Sequence, residues 1–188
     1  MGYRGQEYTP ELAAVLERAM ERCLELARPR ASWLAFEIAD GELDEDVPIV
    51  RLKGTALELP GHSIARFLDG AVRAAVLAVT VGMPLERELR LASVADPVFG
   101  VALDATATAA VEEAADALSE RIRDWAAEQG LRAGGRFSPG YGDLPLEVQP
   151  QLLSTLDAQR RLGITLSASL LMTPTKSVTA VMGLYPVG

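Results

Sequence analysis

The sequence predicts an α+β fold: a single domain with a mainly antiparallel, twisted sheet, several helices and a C-terminal β-hairpin. Three observations lead to this prediction. Strand patterns occur early, at 33–39 and 46–54, and apolar residues recur at helical spacing through the middle of the chain. Apolar and polar residues then alternate over 164–172 and 178–184. Because 188 residues fit one domain better than two, we treat 1–188 as one unit.

The first helix is predicted from its start and stop signals. Thr9 fits the N-cap and Pro10 the first helical position, while Pro29 ends the helix. Cys23 lies on the apolar face of this helix, so we expect a small buried hydrophobe rather than a reactive thiol. As the chain has one cysteine, no intramolecular disulfide can form, and a reducing compartment fits best.

The middle of the chain is predicted to be mostly helical. Gly61 precedes an apolar stripe that runs from Ile64 to Ala75. The run at 74–83 is either a buried strand or a helix end, and it is about half the ~20 residues that a membrane helix needs. Helices are expected at 84–95 and 104–129. The second of these has an apolar seam of Val111, Ala115, Leu118, Ile122 and Trp125.

The last part of the chain is predicted as one helix followed by a hairpin. The helix begins at Gln149 and stops at Gly163. The two alternating segments that follow are joined by TPTK at 173–176, so we expect them to pair with each other and to bury one face.

Charge and motif content exclude several classes of function. With 18 basic and 26 acidic residues the net charge is −8, which disfavours nucleic acid as a partner. No secretory signal is visible, so a cytoplasmic protein without membrane association is expected. His62 is the only histidine and has no nearby cysteine, so no metal site is predicted. Nucleotide-binding glycine motifs and hydrolase motifs are absent from the sequence. The acidic clusters at 42–46 and 112–113 are interpreted as solvated charge, which leaves no predicted catalytic residue.

One loop stands out, GGRFSPGYGDLP at 134–145. Pro139 and Gly140 fit the two central positions of a type II turn, and Gly142 permits a close backbone approach. Arg136 is a bidentate donor suited to a carboxylate, and Tyr141 offers a ring face with a hydroxyl. From these residues alone, a ligand-binding loop and a rigid connector remain equally open.

Two segments carry a family resemblance, RFSPGYGDLPLEVQPQLLSTLD and LLMTPTKSVTAVMGL. They resemble the activation domain of cobalamin-dependent methionine synthase, most closely in its free-standing form, and the resemblance is strongest over 104–184. The Arg-x-x-x-Gly-Tyr signature and the Met-x-Pro-x-x-Ser-Val signature of that family are both present. They comprise Arg136, Gly140 and Tyr141, and Met172, Pro174, Ser177 and Val178.

The sequence departs from the family pattern at two places. Gly142 follows the Gly-Tyr pair where the fused enzymes typically have proline. An Asp-Trp pair that contacts the ligand in the fused form has no counterpart, since Ser32 precedes Trp33.

The resemblance implies a domain that binds S-adenosylmethionine and presents it to a corrinoid carried by a partner, a cobalamin-binding methionine synthase. Inactive cob(II)alamin would receive one electron from flavodoxin or ferredoxin and a methyl group from S-adenosylmethionine, which regenerates methylcobalamin. The domain would thus be the activation component of a methyltransferase, working by positioning rather than by acid–base chemistry. By the same resemblance, Arg136 would hold the methionyl carboxylate and Glu112 would face the positive charge of the ligand. The backbone around Ser138 and Gly140 would line the groove, and Tyr141 would pack or hydrogen-bond beside the ligand.

Two alternatives remain. One is a reactivation or docking factor for another corrinoid methyltransferase. The other is a non-catalytic interaction module in which the loop is only a rigid elbow. The module predicts that Arg136 and Tyr141 are unconnected, that no pocket lies between the loop and the long helix, and that Glu112 is turned away from Arg136.

Overall fold

The protein is described by a computed structural model over residues 9–39 and 47–187. Helices and strands are interspersed along the described residues. The helices are α1 (Pro10–Leu26), α2 (His62–Phe67), α3 (Met83–Ala95), α4 (Pro97–Glu128), α5 (Gln149–Thr155) and α6 (Ala158–Leu162). The strands are β1 (Arg30–Glu37), β2 (Ile49–Arg51), β3 (Glu58–Pro60), β4 (Arg73–Thr80), β5 (Leu131–Ala133), β6 (Thr165–Leu166), β7 (Met172–Thr173) and β8 (Ser177–Pro186).

A four-stranded antiparallel sheet in the order β1-β4-β8-β5 is the centre of the fold. The two inner strands are buried on both faces. Alternate residues of β4, such as Leu77 and Val76, belong to different apolar clusters on opposite sides of the sheet. One cluster is formed with α4, and its seam residues Ala115 and Ile122 are fully buried. The other cluster is formed with α5 and α6. The predicted antiparallel α+β fold is therefore confirmed.

The first helix agrees with its predicted signals. The Thr9 hydroxyl accepts a hydrogen bond from the Leu12 amide, and the helix ends at Leu26, before Pro29. Cys23 is only 2% exposed within the cluster that α1 forms with α3 and α4, and this burial raises the pKa of its thiol. The prediction of a buried hydrophobe is confirmed.

The prediction of the second helix is correct over its first turns and wrong beyond them. α2 ends at Phe67, and Ala75 lies in the middle of β4. The run at 74–83, left open between strand and helix end, is mostly the buried strand β4. A strand buried on both faces has an almost continuous apolar sequence, so apolar residues also occur at helical spacing by chance.

The hairpin near the C-terminus exists but is shorter than predicted and lies elsewhere. It consists of β6 and β7, with Thr165 opposite Thr173 and Leu166 opposite Met172. The segment TPTK leads instead from β7 into β8, which pairs with β4 and β5 and is buried on both faces. Alternation signals a strand but does not identify its partner.

Three further boundaries differ from the predictions. β1 pairs with β4 along its whole length and β2 pairs with β3, so the two early segments predicted as strands are linked to each other through a bridge between Ile38 and Leu52. α4 begins at Pro97 rather than at 104. The helix predicted at 149–162 is interrupted at Asp157, which has a φ of 50°. The acidic cluster at 42–46 lies outside the described residues.

None of the helices in the described parts of the chain is both long and apolar enough to span a membrane.

Candidate functional site

The loop at 134–145 is fixed at its beginning by the central sheet. Phe137 exchanges two backbone hydrogen bonds with Val181 of β8, with N···O distances of 2.9 and 2.8 Å. A turn follows in which the Tyr141 amide donates to the Ser138 carbonyl at 3.1 Å and Gly140 has a φ of +88°. This is the closure and the positive φ that a type II turn requires, so the predicted turn is confirmed.

The end of the loop is fixed to α2 by a carboxylate. Asp143 accepts hydrogen bonds from the backbone amides of Ser63 and His62, at 2.9 and 2.7 Å. The bond from the Ser63 amide is the main reason why the pKa of Asp143 is lowered. The close approach expected of Gly142 is made here: a Cβ at this position would lie 2.8 Å from the Ser63 hydroxyl oxygen. Since Gly142 has a φ of +56°, proline at this position would not fit the conformation.

Arg136 connects the loop to the long helix. Its Nη2 donates to Glu112 Oε2 and to Asp116 Oδ1, both at 2.9 Å. The Arg136 side chain is 21% exposed, whereas those of Glu112 and Asp116 are 55% and 69% exposed. The other terminal nitrogen, Nη1, is buried and has no hydrogen-bond partner among residues 9–39 and 47–187. The guanidinium is thus anchored through one nitrogen and has a free donor on the other.

A groove lies between the loop, α4 and the segment leading into β8. Its charged end has a volume of about 220 Å³, and its apolar end about 370 Å³. Four residues line both ends: Glu112, Ser138, Tyr141 and Val178. The charged end is completed by Arg136 and Phe137, and the apolar end by Pro139, Leu146, Gln149, Leu170, Leu171, Met172, Thr175, Ser177 and Thr179.

Residues of the second sequence motif also line this groove. Met172, Ser177 and Val178 line it, while Pro174 is buried and its carbonyl accepts a hydrogen bond of 2.8 Å from the Ser177 hydroxyl. Both motifs therefore meet at one groove, although Tyr141 and Met172 are 31 positions apart in the sequence.

Glu86 of α3 holds this second motif in place. Its side chain is 4% exposed, and its Oε2 accepts hydrogen bonds from the Thr175 amide at 2.8 Å and hydroxyl at 2.7 Å. Arg90 pairs with the other carboxylate oxygen at 2.9 Å. Burial acts to raise the pKa of Glu86, but the Thr175 bonds and Arg90 outweigh it, so the pKa is lowered overall. Glu86 is therefore a buried, ionised residue that supports the segment around Thr175.

The structure brings together four of the five residues that the sequence nominated. Glu112, Arg136, Ser138 and Tyr141 share the charged end of the groove. Gly140 does not line it. Its amide donates to the Leu144 carbonyl, and its role in the structure is to shape the turn.

The structure does not match the alternative in which the loop is only a rigid elbow of an interaction module. Arg136 and Tyr141 line one pocket between the loop and α4, and Glu112 is hydrogen-bonded to Arg136.

Sequence reasoning missed three residues at this site: Asp116, Glu86 and Gln149. Asp116 had a usable signal, because it lies four positions after Glu112 and such residues share a helix face. Gln149 was predicted only as the start of a helix. In the structure it is 2% exposed, and its Oε1 accepts a hydrogen bond of 3.0 Å from the Thr179 hydroxyl. Glu86 had no signal in the sequence, because its partner Thr175 is 89 residues away.

Trp33 is a packing residue. Its ring meets that of Trp125 edge-on, with centroids 5.1 Å apart, between β1 and α4.

Volume alone does not select the groove. Three other clefts of about 450, 460 and 530 Å³ lie on the described surface, and none is lined by Arg136, Tyr141 or the second motif. Among the residues described, no group of three or more histidine, cysteine, aspartate or glutamate side chains is arranged to hold a metal ion. What distinguishes the groove is that both motifs line it and that one lining residue, Arg136, has a buried donor without a partner in the described part of the chain.

These two motifs fall within a match to a known family. The model of the vitamin B12 dependent methionine synthase activation domain matches residues 69–186, which is more than half of the chain. The chain belongs to this family. The matched region of this activation domain includes α4, the loop at 134–145 and β8, and hence every residue that lines the groove.

The fold agrees with that assignment. A crystal structure of the MetH reactivation domain bound to AdoHcy superimposes with a TM-score of 0.72 at 18% sequence identity, covering 97% of this chain and 68% of that one. At this identity the match shows a shared fold. No curated protein sequence matches the chain.

Proposed function

We propose that this activation domain binds S-adenosylmethionine in the groove and supports the reductive methylation of cob(II)alamin to methylcobalamin on a cobalamin-dependent methionine synthase. The observation that carries the proposal is the convergence of Arg136, Tyr141, Glu112 and the second motif on one groove with a charged end and an apolar end. Family membership and the shared fold with a domain that binds AdoHcy support it.

The charged end suits the methionyl part of the ligand. Arg136 Nη1 is buried without a partner, and leaving such a donor unsatisfied costs about 1–3 kcal/mol. A ligand carboxylate that accepts from Nη1 would remove this cost. Glu112, which lines both ends of the groove, offers a carboxylate to the ammonium or sulfonium group. The residues present therefore fit a zwitterionic ligand with additional positive charge.

The apolar end suits the adenosine part. Leu146, Leu170, Met172 and Val178 supply apolar surface around a volume of about 370 Å³, within the ~300–1,000 Å³ range of small-molecule pockets. Polar side chains also line this end, and they could fix the orientation of a ligand. Gln149 is one of them: its Oε1 is occupied by Thr179, which leaves its amide NH₂ for a ring nitrogen of the base.

Positioning is the chemical contribution of the chain. When bound, S-adenosylmethionine supplies an electrophilic methyl group, while the corrinoid is carried by the partner and one electron comes from flavodoxin or ferredoxin. Among the described residues that line the groove there is no histidine, cysteine or lysine, and an in-line methyl transfer needs no general base. Tyr141 and Leu171 at the rim are 69% and 64% exposed, so the groove is open to a reaction partner on that side.

Isothermal titration with S-adenosylmethionine tests the ligand. We expect saturable binding by the folded protein and, in Arg136→Ala, a loss of affinity of roughly 10- to 100-fold, since a hydrogen bond to a charged group contributes about 1.5–3 kcal/mol. Arg121→Ala is the matched control, because Arg121 is an exposed α4 residue that forms no ion pair within the described chain. Absence of binding by the wild-type protein would refute the proposal.

The corrinoid partner needs a separate test. Cob(II)alamin-loaded methionine synthase whose own activation domain has been removed is mixed with this chain, S-adenosylmethionine and reduced flavodoxin, and methylcobalamin is followed by its absorbance. We expect its formation to depend on the chain and to fail with Arg136→Ala. If methylcobalamin formed only when a different corrinoid methyltransferase was supplied, that protein would be the partner instead.

A further inference from the structure

We propose that Asp116 is a positioning residue for Arg136: it retains the guanidinium when Glu112 turns to the positively charged part of the ligand. The inference rests on the proposed function, because it assumes a ligand that carries both a carboxylate and positive charge.

The two carboxylates on Arg136 differ in one respect. Both accept from the same atom, Nη2, at the same distance of 2.9 Å. Glu112 lines both ends of the groove, but Asp116 lines neither and its side chain is 69% exposed. Only Glu112 is therefore in a position to contact a ligand, and Asp116 contacts Arg136 from outside the groove.

A cationic group on the ligand would compete with Arg136 for the Glu112 carboxylate, which contacts the guanidinium through Oε2. S-adenosylmethionine carries a sulfonium, an ammonium and a carboxylate, so its binding brings cations to Glu112 and an anion to Arg136. If Glu112 moves to a cationic group, Nη2 loses one of its two acceptors. Asp116 is then the acceptor that remains, and the buried guanidinium does not lose its charge compensation.

Asp116 also helps to fix the orientation of the guanidinium. The guanidinium is planar and rigid, so holding Nη2 fixes the direction of Nη1. Because Nη2 takes both carboxylates, Nη1 is left buried and free. Glu112 and Asp116 are four residues apart on α4, where side chains share a face, so the helix presents both to the same nitrogen.

The experiment compares two ligands across three variants. Asp116→Asn removes the charge with little change of shape. Glu113→Gln removes a neighbouring exposed charge of the same helix that makes no ion pair within the described chain. Asp116→Glu keeps the charge. Binding of S-adenosylmethionine is measured alongside binding of 5′-methylthioadenosine, a neutral thioether that lacks the whole amino-acid part.

We expect Asp116→Asn to weaken S-adenosylmethionine binding by roughly fivefold to tenfold and to leave 5′-methylthioadenosine binding unchanged. Glu113→Gln should change neither, and Asp116→Glu should recover most of the affinity. In an Arg136→Ala background, Asp116→Asn should cause no further loss, because Asp116 acts through the arginine.

Three results would overturn the inference: unchanged S-adenosylmethionine affinity in Asp116→Asn, an equal loss for both ligands, or an equal loss in Glu113→Gln. Each of these presupposes that the wild-type protein binds S-adenosylmethionine, so each leaves the proposed function intact. A folded wild-type protein that binds none would overturn both.

Discussion

The two motifs that line the groove are held by opposite kinds of electrostatic support. On the loop side, Arg136 is the most buried member of its ion cluster, and its partners Glu112 and Asp116 are largely exposed. On the other side, the buried member is a carboxylate, Glu86, whose partner Arg90 is 63% exposed. Arg136 lines the groove and has one terminal nitrogen without a partner in the described part of the chain, whereas both carboxylate oxygens of Glu86 are bonded, one to Thr175 and one to Arg90.

This difference separates binding from stability. The bonds of Glu86 are complete without a ligand, so its removal should cost folding free energy. Arg136 is incompletely bonded without a ligand, so its removal should mainly cost affinity. The predictions below test that separation, in order of decreasing effect.

The largest effect is expected for Glu86→Ala. It leaves the Thr175 amide and hydroxyl without their acceptor and removes the partner of Arg90. We expect the free energy of unfolding to fall by about 2–3 kcal/mol, measured by urea denaturation. Glu88→Ala on the same helix is the control. Its pair with the partly exposed Arg22 should contribute less than about 1 kcal/mol. Equal losses in the two variants would show that Glu86 has no special role.

Gly142→Ala should have the next largest effect. The added Cβ would meet Ser63 at 2.8 Å, and alanine is disfavoured at a φ of +56°. We expect a loss of about 1–2 kcal/mol in the free energy of unfolding, with the remaining folded protein binding S-adenosylmethionine normally, because Gly142 does not line the groove. Gly135→Ala, where a Cβ meets nothing within 4 Å and φ is not positive, is the matched control. A large change in affinity instead would place Gly142 in the binding site.

Arg136→Lys should reduce affinity while nearly preserving stability. Lysine keeps the charge but cannot present one nitrogen to the α4 carboxylates and another to a ligand. We expect binding of S-adenosylmethionine to weaken about tenfold, equivalent to about 1.4 kcal/mol, by calorimetry. The midpoint of urea denaturation should barely move. If it shifted as much as in Glu86→Ala, the contrast between the two sides of the groove would fail.

The smallest effect is on the dependence of stability on pH. The pKa of Glu86 is lowered on folding from its ordinary value of 4.5, so the folded state favours its ionised form. This stabilisation is present above about pH 4.5 and is lost as the pH falls through the lower pKa of the folded state. Glu86→Gln should therefore show a shallower loss of stability on acidification. Asp143, whose pKa is also lowered, should keep part of the slope in that variant. An unchanged slope would contradict the assignment.

Local signals in the sequence predicted much of the molecule correctly. The Thr9 cap, the seam of α4, the stop at Gly163 and the turn at Pro139 and Gly140 depend on residues a few positions apart, so a short window contains the information. The same holds for the two motifs, whose residues identified the family and nominated four side chains that the groove brings together.

The tertiary structure decided what depends on partners far apart in the chain. Alternation in the last segment indicated strands, but only the fold shows that β8 pairs with β4 and β5. Full burial of β4 removed the periodicity that would have distinguished strand from helix. Glu86 and Thr175, like Arg136 and Asp116, meet through contacts that no local pattern encodes. The sequence by itself determined the class of the fold and the residues of the motifs. Their supports were decided by packing, because a hydrogen bond depends on distance in space and not on separation along the chain.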